Sequence, residues 1–171
     1  MPSLFIWICG IWFISEIALN RLMQSKNSGT EKKDKNSLLY IWIAIFAGIF
    51  TAIVISANTS TLIWKDAMVI NVGLLLIVFG IVLRAIIIYT LGAFFTVDVN
   101  ISEKHELKTD GFYSFVRHPS YSASLISFIG LSLALNNWLS LVCILLFVGG
   151  SFLYRISVEE KALEGFFGEH I

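Results

Sequence analysis

Long apolar runs alternate with short polar connections along this 171-residue chain. A helix needs about 20 mostly apolar residues to cross a bilayer. Five stretches approach that length, at about 3–23, 38–57, 67–91, 119–136 and 138–156. The last two are short and separated only by Asn136-Asn137, which predicts a tight helical hairpin. Gly130 and Ala134 on one arm, with Gly149 and Gly150 on the other, are expected to let the two backbones approach closely. The pattern predicts an all-α, polytopic integral membrane protein of about five transmembrane helices. It forms a single domain over residues 1–171, with a long polar loop before the fourth span and an interfacial helix at the C-terminal end.

Composition moves in the same direction. Hydrophobic residues make up 57% of the chain and charged residues 14%, with a mean hydropathy of +0.81. Soluble domains carry roughly 25% charged residues, so this apolar surplus calls for lipid as the surrounding medium. The formal net charge of zero offers no basic field for a nucleic-acid partner. Cys9 and Cys143 sit inside apolar runs and read as small core residues, neither a disulfide nor metal ligands. The run from Leu4 to Leu19 has no basic residue before it, whereas Arg21 and Lys26 follow it. It reads as a retained membrane helix with its N-terminus outside.

Basic residues set the expected orientation. The first connection carries Arg21, Lys26, Lys32, Lys33 and Lys35, and the second has only Lys65. Lys104, Lys108 and Arg117 lie in the third, with Arg155 and Lys161 toward the C-terminal end. This alternation places the first and third connections and the C-terminal end in the cytoplasm. It also puts the long loop and the C-terminal carboxylates on one side. Glu16 and Arg84 are lone ionisable groups within apolar spans, each at a similar depth from its cytoplasmic end. They are expected to pair inside the bundle.

The third connection is dense in chemistry. "EKHELKTDGFYSFVRHPSY", Glu103–Tyr121, holds three cations, three carboxylates, two histidines and two tyrosines. In "RHPSY", Pro119 suits the first turn of a helix, so His118 falls near the cap. The N–H groups of Ser120 and Tyr121 then point outward, and a helix start of this kind attracts anions. Gly111 supplies a sharp bend before Tyr113 that lets the loop fold back over that end. On local pattern alone, His118 and Tyr121 read first as interfacial anchors and only second as a binding site. Further on, "YRISVEEKALEGFFG" puts Arg155 and Glu159 on one helix face, four residues apart. Glu160 turns to one side, while Leu163, Phe166 and Phe167 form an apolar stripe. Arg155 ends an apolar span, where an ionisable group is costly unless paired or functional.

Together the two stretches, over residues 91–168, resemble the isoprenylcysteine carboxyl methyltransferase family. That family has relatives that methylate phospholipid amines and small thiols. The resemblance implies an S-adenosylmethionine-dependent methyltransferase whose cytoplasmic loop holds the cofactor without a Rossmann domain. No glycine-rich nucleotide-binding fingerprint occurs in the chain. By the same resemblance His105, Glu106, Leu107, Lys108 and Tyr113 wrap the cofactor, His118, Pro119, Ser120 and Tyr121 form its floor, and Glu159 contacts it from the last helix. Arg155 matches the arginine that faces the substrate. Two departures stand out: Lys108 occupies a position where relatives are commonly apolar, and Glu169-His170-Ile171 follows the "FG" where relatives continue with a tyrosine and a basic tail.

Methyl transfer to a carboxylate needs alignment and exclusion of water more than a general base. The expected acceptor is a prenylated cysteine carboxylate or a similar lipid-like molecule, with membrane lipids as surroundings. Alternatives are a phospholipid amine, a small thiol, or a non-catalytic scaffold or transporter subunit. His105, His118 and His170 are not spaced as ligands of a metal or haem within a span.

Overall fold

A computed structural model describes residues 2–25, 35–91 and 111–168. Helix α1 spans Pro2–Ser25, α2 Lys35–Asn58 and α3 Met68–Leu91, each of 24 residues. A 3₁₀ turn at Gly111–Ser114 precedes α4, Pro119–Ala134. The chain then runs as one rod through α5 (Trp138–Ile144), a π-helical turn (Leu145–Gly149) and α6 (Gly150–Phe167). The C-terminal helix expected at the interface is therefore the continuation of the fifth span. By length and composition, Leu39–Asn58, Met68–Thr90 and Trp138–Lys161 are long and apolar enough to cross a membrane; Ser3–Leu19 and Pro119–Ala134 are shorter apolar helices. Such helices make this an integral membrane protein.

The core lies where α1, α3, α4 and the α5–α6 rod meet. Trp12, Ile77, Phe128, Leu131, Ile144, Val148 and Phe152 are buried in it. Helices α3 and α4 run antiparallel at very short range. A Cβ on Gly130 would lie 2.7 Å from the Gly73 carbonyl oxygen, and one on Gly80 would lie 2.9 Å from that of Ala123. Small residues permit this approach where lipid provides no hydrophobic drive for association. The expected hairpin contact is thus corrected: Gly130 and Ala134 face Gly73 on α3, while Gly149 and Gly150 have open space where a Cβ would go. The rod packs against α2 instead, where Gly48 admits Phe147; a Cβ on Gly48 would sit 2.9 Å from that of Phe147.

The hairpin turn does form at Asn136-Asn137, and it ties down one end of the bundle. Asn136 takes the left-handed conformation (φ 49°), which asparagine tolerates better than most residues. Its side chain accepts from the Trp64 N–H (3.1 Å) and donates to the Trp64 carbonyl (2.8 Å). Asn137 caps α5 by accepting from the Ser140 N–H at 3.1 Å. It also accepts from the Thr61 hydroxyl (3.0 Å) and donates to the Thr59 hydroxyl (2.9 Å). The α2–α3 and α4–α5 connections are thereby locked together.

With that end level, the shortness of α4 shows at the other. Its 16 residues span about 24 Å, against a hydrocarbon core of roughly 30 Å. Arg84 of α3 lies beside Ser120 of α4. Helix α3 continues to Leu91, roughly 10 Å further, whereas α4 begins at Pro119. The start of α4 is therefore recessed below the ends of its neighbours.

Candidate active site

Pro119 opens α4, as expected for a residue whose missing N–H costs nothing there. His118 is the N-cap, and its side chain makes no capping hydrogen bond to the helix start. The N–H groups of the first turn thus keep the anion preference of an open helix terminus. Opposite them, α6 presents Arg155, Glu159 and Glu160. The π turn bears on this presentation, because each residue added to a helix rotates all that follow by about 100°.

Glu159 is the hub. The Tyr121 hydroxyl donates to its Oε1 at 2.5 Å, and Arg155 Nε donates to the same oxygen at 3.3 Å. His118 Nδ1 lies 3.6 Å from the other oxygen. Arg155 is fully buried, at 0% exposure, so its pairing with Glu159 offsets a large desolvation cost. His118 bridges two carboxylates, since its Nε2 lies 3.2 Å from Glu160 Oε1. Its hydrogen bond to Glu159 raises the imidazole above its usual value; burial opposes this, and Glu160 adds to the rise. The rings of His118 and Tyr121 are 6.0 Å apart, and Tyr121 leads through Phe152 (5.3 Å) to Phe128 in the core. Gly111, at φ 61°, starts the turn that carries Tyr113. Burial, reinforced by the charge on Glu159, pushes the Tyr113 hydroxyl up to about 12, so it remains a proton donor.

The structure thus brings together His118, Pro119, Ser120, Tyr121, Arg155 and Glu159, with Tyr113 close enough to sense the charge on Glu159. His105, Glu106, Leu107 and Lys108 lie outside the described residues, as do the side chains of Leu163, Phe166 and Phe167. Glu160, which the sequence places to one side of the Arg155–Glu159 face, is a partner of His118. Adjacent residues on a helix diverge by about 100°, and two ring nitrogens are what reach both carboxylates. The adjacent "EE" facing one histidine was the available signal. The expected Glu16–Arg84 pair forms at 3.2 Å.

The arrangement offers an open helix start for an anion, aromatic rings and carboxylates for a cation, and a buried guanidinium. Comparison with known proteins points to one family. The sequence profile of the isoprenylcysteine carboxyl methyltransferase family matches residues 72–165. Protein-S-isoprenylcysteine O-methyltransferase B of Arabidopsis thaliana is 40% identical over 100 residues, covering 57% of this chain and 51% of that protein. Protein-S-isoprenylcysteine O-methyltransferase of Xenopus laevis is 41% identical over 101 residues, 58% of this chain and 35% of its own. A solved structure of the eukaryotic intramembrane Ras methyltransferase, an isoprenylcysteine carboxyl methyltransferase, superposes with a TM-score of 0.61 at 26% identity, covering 96% of this chain and 60% of that one. In each case the chain spans from about a third to three fifths of its relative's length.

Proposed function

This chain belongs to the isoprenylcysteine carboxyl methyltransferase family, and we propose that it transfers a methyl group from S-adenosylmethionine to the carboxylate of a prenylated cysteine or a similar lipid-like acceptor. The observation that carries this reading is the hub at Glu159, where His118 and Tyr121 of α4 meet Arg155 of α6 at a recessed, uncapped helix start. The residues present fit such a donor. The first-turn N–H groups of Ser120 and Tyr121 suit its carboxylate. The carboxylate of Glu159 suits its amino group or ribose hydroxyls, and the rings of Tyr113 and Tyr121 suit its cationic centre.

When bound, S-adenosylmethionine supplies a methyl carbon already activated by an adjacent sulfonium. The work left to the protein is placement. His118 and Tyr121 hold Glu159 in a fixed orientation, and the recess at the start of α4 shields the cluster from water. Arg155 orients the acceptor carboxylate through its planar fork while its Nε steadies Glu159. No side chain is asked to remove a proton, because a carboxylate acceptor is already the nucleophile. A lipid-tailed acceptor reaches the recess sideways from the membrane. The charge pattern supports a cytoplasmic position for this face and an outside N-terminus.

The test is methyl transfer by the purified chain offered a prenylated cysteine, a phospholipid amine and a small thiol in turn. It is paired with calorimetric titration by S-adenosylhomocysteine. Binding together with methylation of the prenylated cysteine is expected. Binding with methylation of another class would replace the acceptor, and no binding would remove the enzyme reading.

A further inference from the structure

A second charged group lies deeper in the bundle and takes no part in the chemistry proposed above. Arg84 of α3 pairs with Glu16 of α1, Nη2 to Oε2 at 3.2 Å, with side chains only 12% and 17% exposed. Its other terminal nitrogen, Nη1, donates to the Ser120 carbonyl at 3.4 Å and to the Ser124 hydroxyl. One guanidinium therefore joins three helices. An ion pair that served only to neutralise two buried charges would need no third helix.

The third partner is the element that opens the candidate active site. Within α4 the Ser120 carbonyl serves as an ordinary helix acceptor, and Arg84 engages its second lone pair. Ser124, 2% exposed, lies one turn further in on the same face. Arg84 thus grips the first two turns of α4, whose leading residues are His118, Pro119, Ser120 and Tyr121. Gly80, one turn before Arg84, brings α3 close enough for this grip. Trp12, one turn before Glu16 on α1, is buried and packed edge-on against Phe128 of α4 at 4.8 Å. In such low-dielectric surroundings charge-assisted hydrogen bonds are strong and hold their geometry.

We propose that Arg84, held in place by Glu16, is a positioning residue for methyl transfer: it fixes the start of α4 and so the placement of His118 and Tyr121 against Glu159. The inference rests on the function proposed above for its catalytic consequence, but its structural claim stands on the Arg84–Ser120–Ser124 contacts.

The experiment uses the full chain in detergent with Arg84→Gln, Arg84→Lys and the double variant Glu16→Gln/Arg84→Gln. Three quantities are read: melting temperature, affinity for S-adenosylhomocysteine, and amide hydrogen exchange in the first turns of α4. Breaking one half of a buried pair is costly, whereas neutralising both halves is much less so. The double variant is therefore expected to melt near the wild type. It should still bind S-adenosylhomocysteine about tenfold more weakly, the scale of one lost charge-assisted bond, and exchange faster at the start of α4. Arg84→Lys keeps the charge opposite Glu16 but loses the fork, and it should show the same loss of affinity if Arg84→Gln fails to fold. Wild-type affinity and exchange in the double variant or in Arg84→Lys would overturn the proposal and leave the arginine a purely structural ion. A wild-type chain that binds no S-adenosylhomocysteine would instead sink the functional reading. The exchange data would still decide whether Arg84 holds α4.

Discussion

The two ends of the bundle solve opposite problems with similar means. At the Asn136-Asn137 end, each polar side chain is matched to fixed, neutral partners: Thr59, Thr61 and Trp64 in the facing connection, and Ser140 of α5. At the His118 end, a buried arginine, a tyrosine and a histidine gather around the Glu159 carboxylate, the histidine also reaches Glu160, and its side chain leaves the helix start beside them uncapped. Neutral bonds to fixed partners close a structure. Charged groups held around an open terminus keep interactions in hand for something that arrives later. The first end is expected to respond to mutation in stability, and the second in binding and turnover.

The largest expected effect is at Arg155, the buried member of the charged end. Arg155→Lys keeps a cation beside Glu159 and is the variant most compatible with folding. Lysine cannot reproduce the two-pronged geometry that a carboxylate acceptor requires. Turnover should fall roughly 10²-fold or more, the scale of losing one aligned donor in an active site, while S-adenosylhomocysteine affinity changes far less. Equal losses of affinity and turnover would show that the arginine only holds Glu159.

Next comes Glu159 itself. Glu159→Gln preserves the shape and an acceptor for Tyr121 but removes the charge that draws in Tyr121, Arg155 and His118. Hydrogen bonds to charged groups contribute about 1.5–3 kcal/mol, so affinity for S-adenosylhomocysteine should drop by roughly 10- to 100-fold. Calorimetry on the folded variant checks this. Unchanged affinity would break the comparison, because the charged end would then be as structural as the neutral one.

The neutral end provides the opposite test. Asn137 is 2% exposed and serves as the cap of α5 while also bonding Thr59 and Thr61. Removing a cap costs about 0.5–2 kcal/mol, and because the Ser140 N–H it leaves unpaired is buried, the loss should fall toward the upper end of that range. Asn137→Ala should therefore lower the melting temperature clearly and leave S-adenosylhomocysteine affinity in the surviving folded fraction unchanged. A selective loss of affinity would mean that the ends are coupled through the rod.

Much of this contrast is legible in the sequence. Span lengths placed the helices, Asn136-Asn137 marked the hairpin, and the matching depths of Glu16 and Arg84 anticipated their pair, because an apolar medium leaves lone charges few partners. The spacing of Arg155 and Glu159, read with "RHPSY", predicts that these residues share one end, where the structure brings them together. Packing partners were harder. Gly130 was expected to face the next helix in sequence, yet its neighbour is Gly73 of α3. Small residues signal a close approach without saying which helix approaches. The π turn has no mark in the hydrophobic pattern, and its effect on the direction of α6 side chains appears only in three dimensions. Glu160 is not legible as a partner because helical geometry turns it from Glu159, and only the two-sided reach of the His118 imidazole joins them.

The smallest expected effect is a pH dependence of stability, and it belongs to the charged end. His118 binds its proton more tightly in the folded protein than at the ordinary value of 6.5, chiefly through its hydrogen bond to Glu159. A group raised in this way contributes in full below 6.5, and the contribution fades as pH climbs through the higher folded value. Part of the partnership is solvent-screened, since the Glu160 side chain is 42% exposed. Exposed pairs contribute roughly 0–1 kcal/mol, so the total swing should be small. Melting temperature recorded across that range should decline modestly with rising pH in the wild type and less steeply in His118→Gln, while Asn137→Ala keeps the wild-type slope from a lower baseline. An undiminished slope in His118→Gln would assign the dependence to another group and remove the imidazole from the charged end's account.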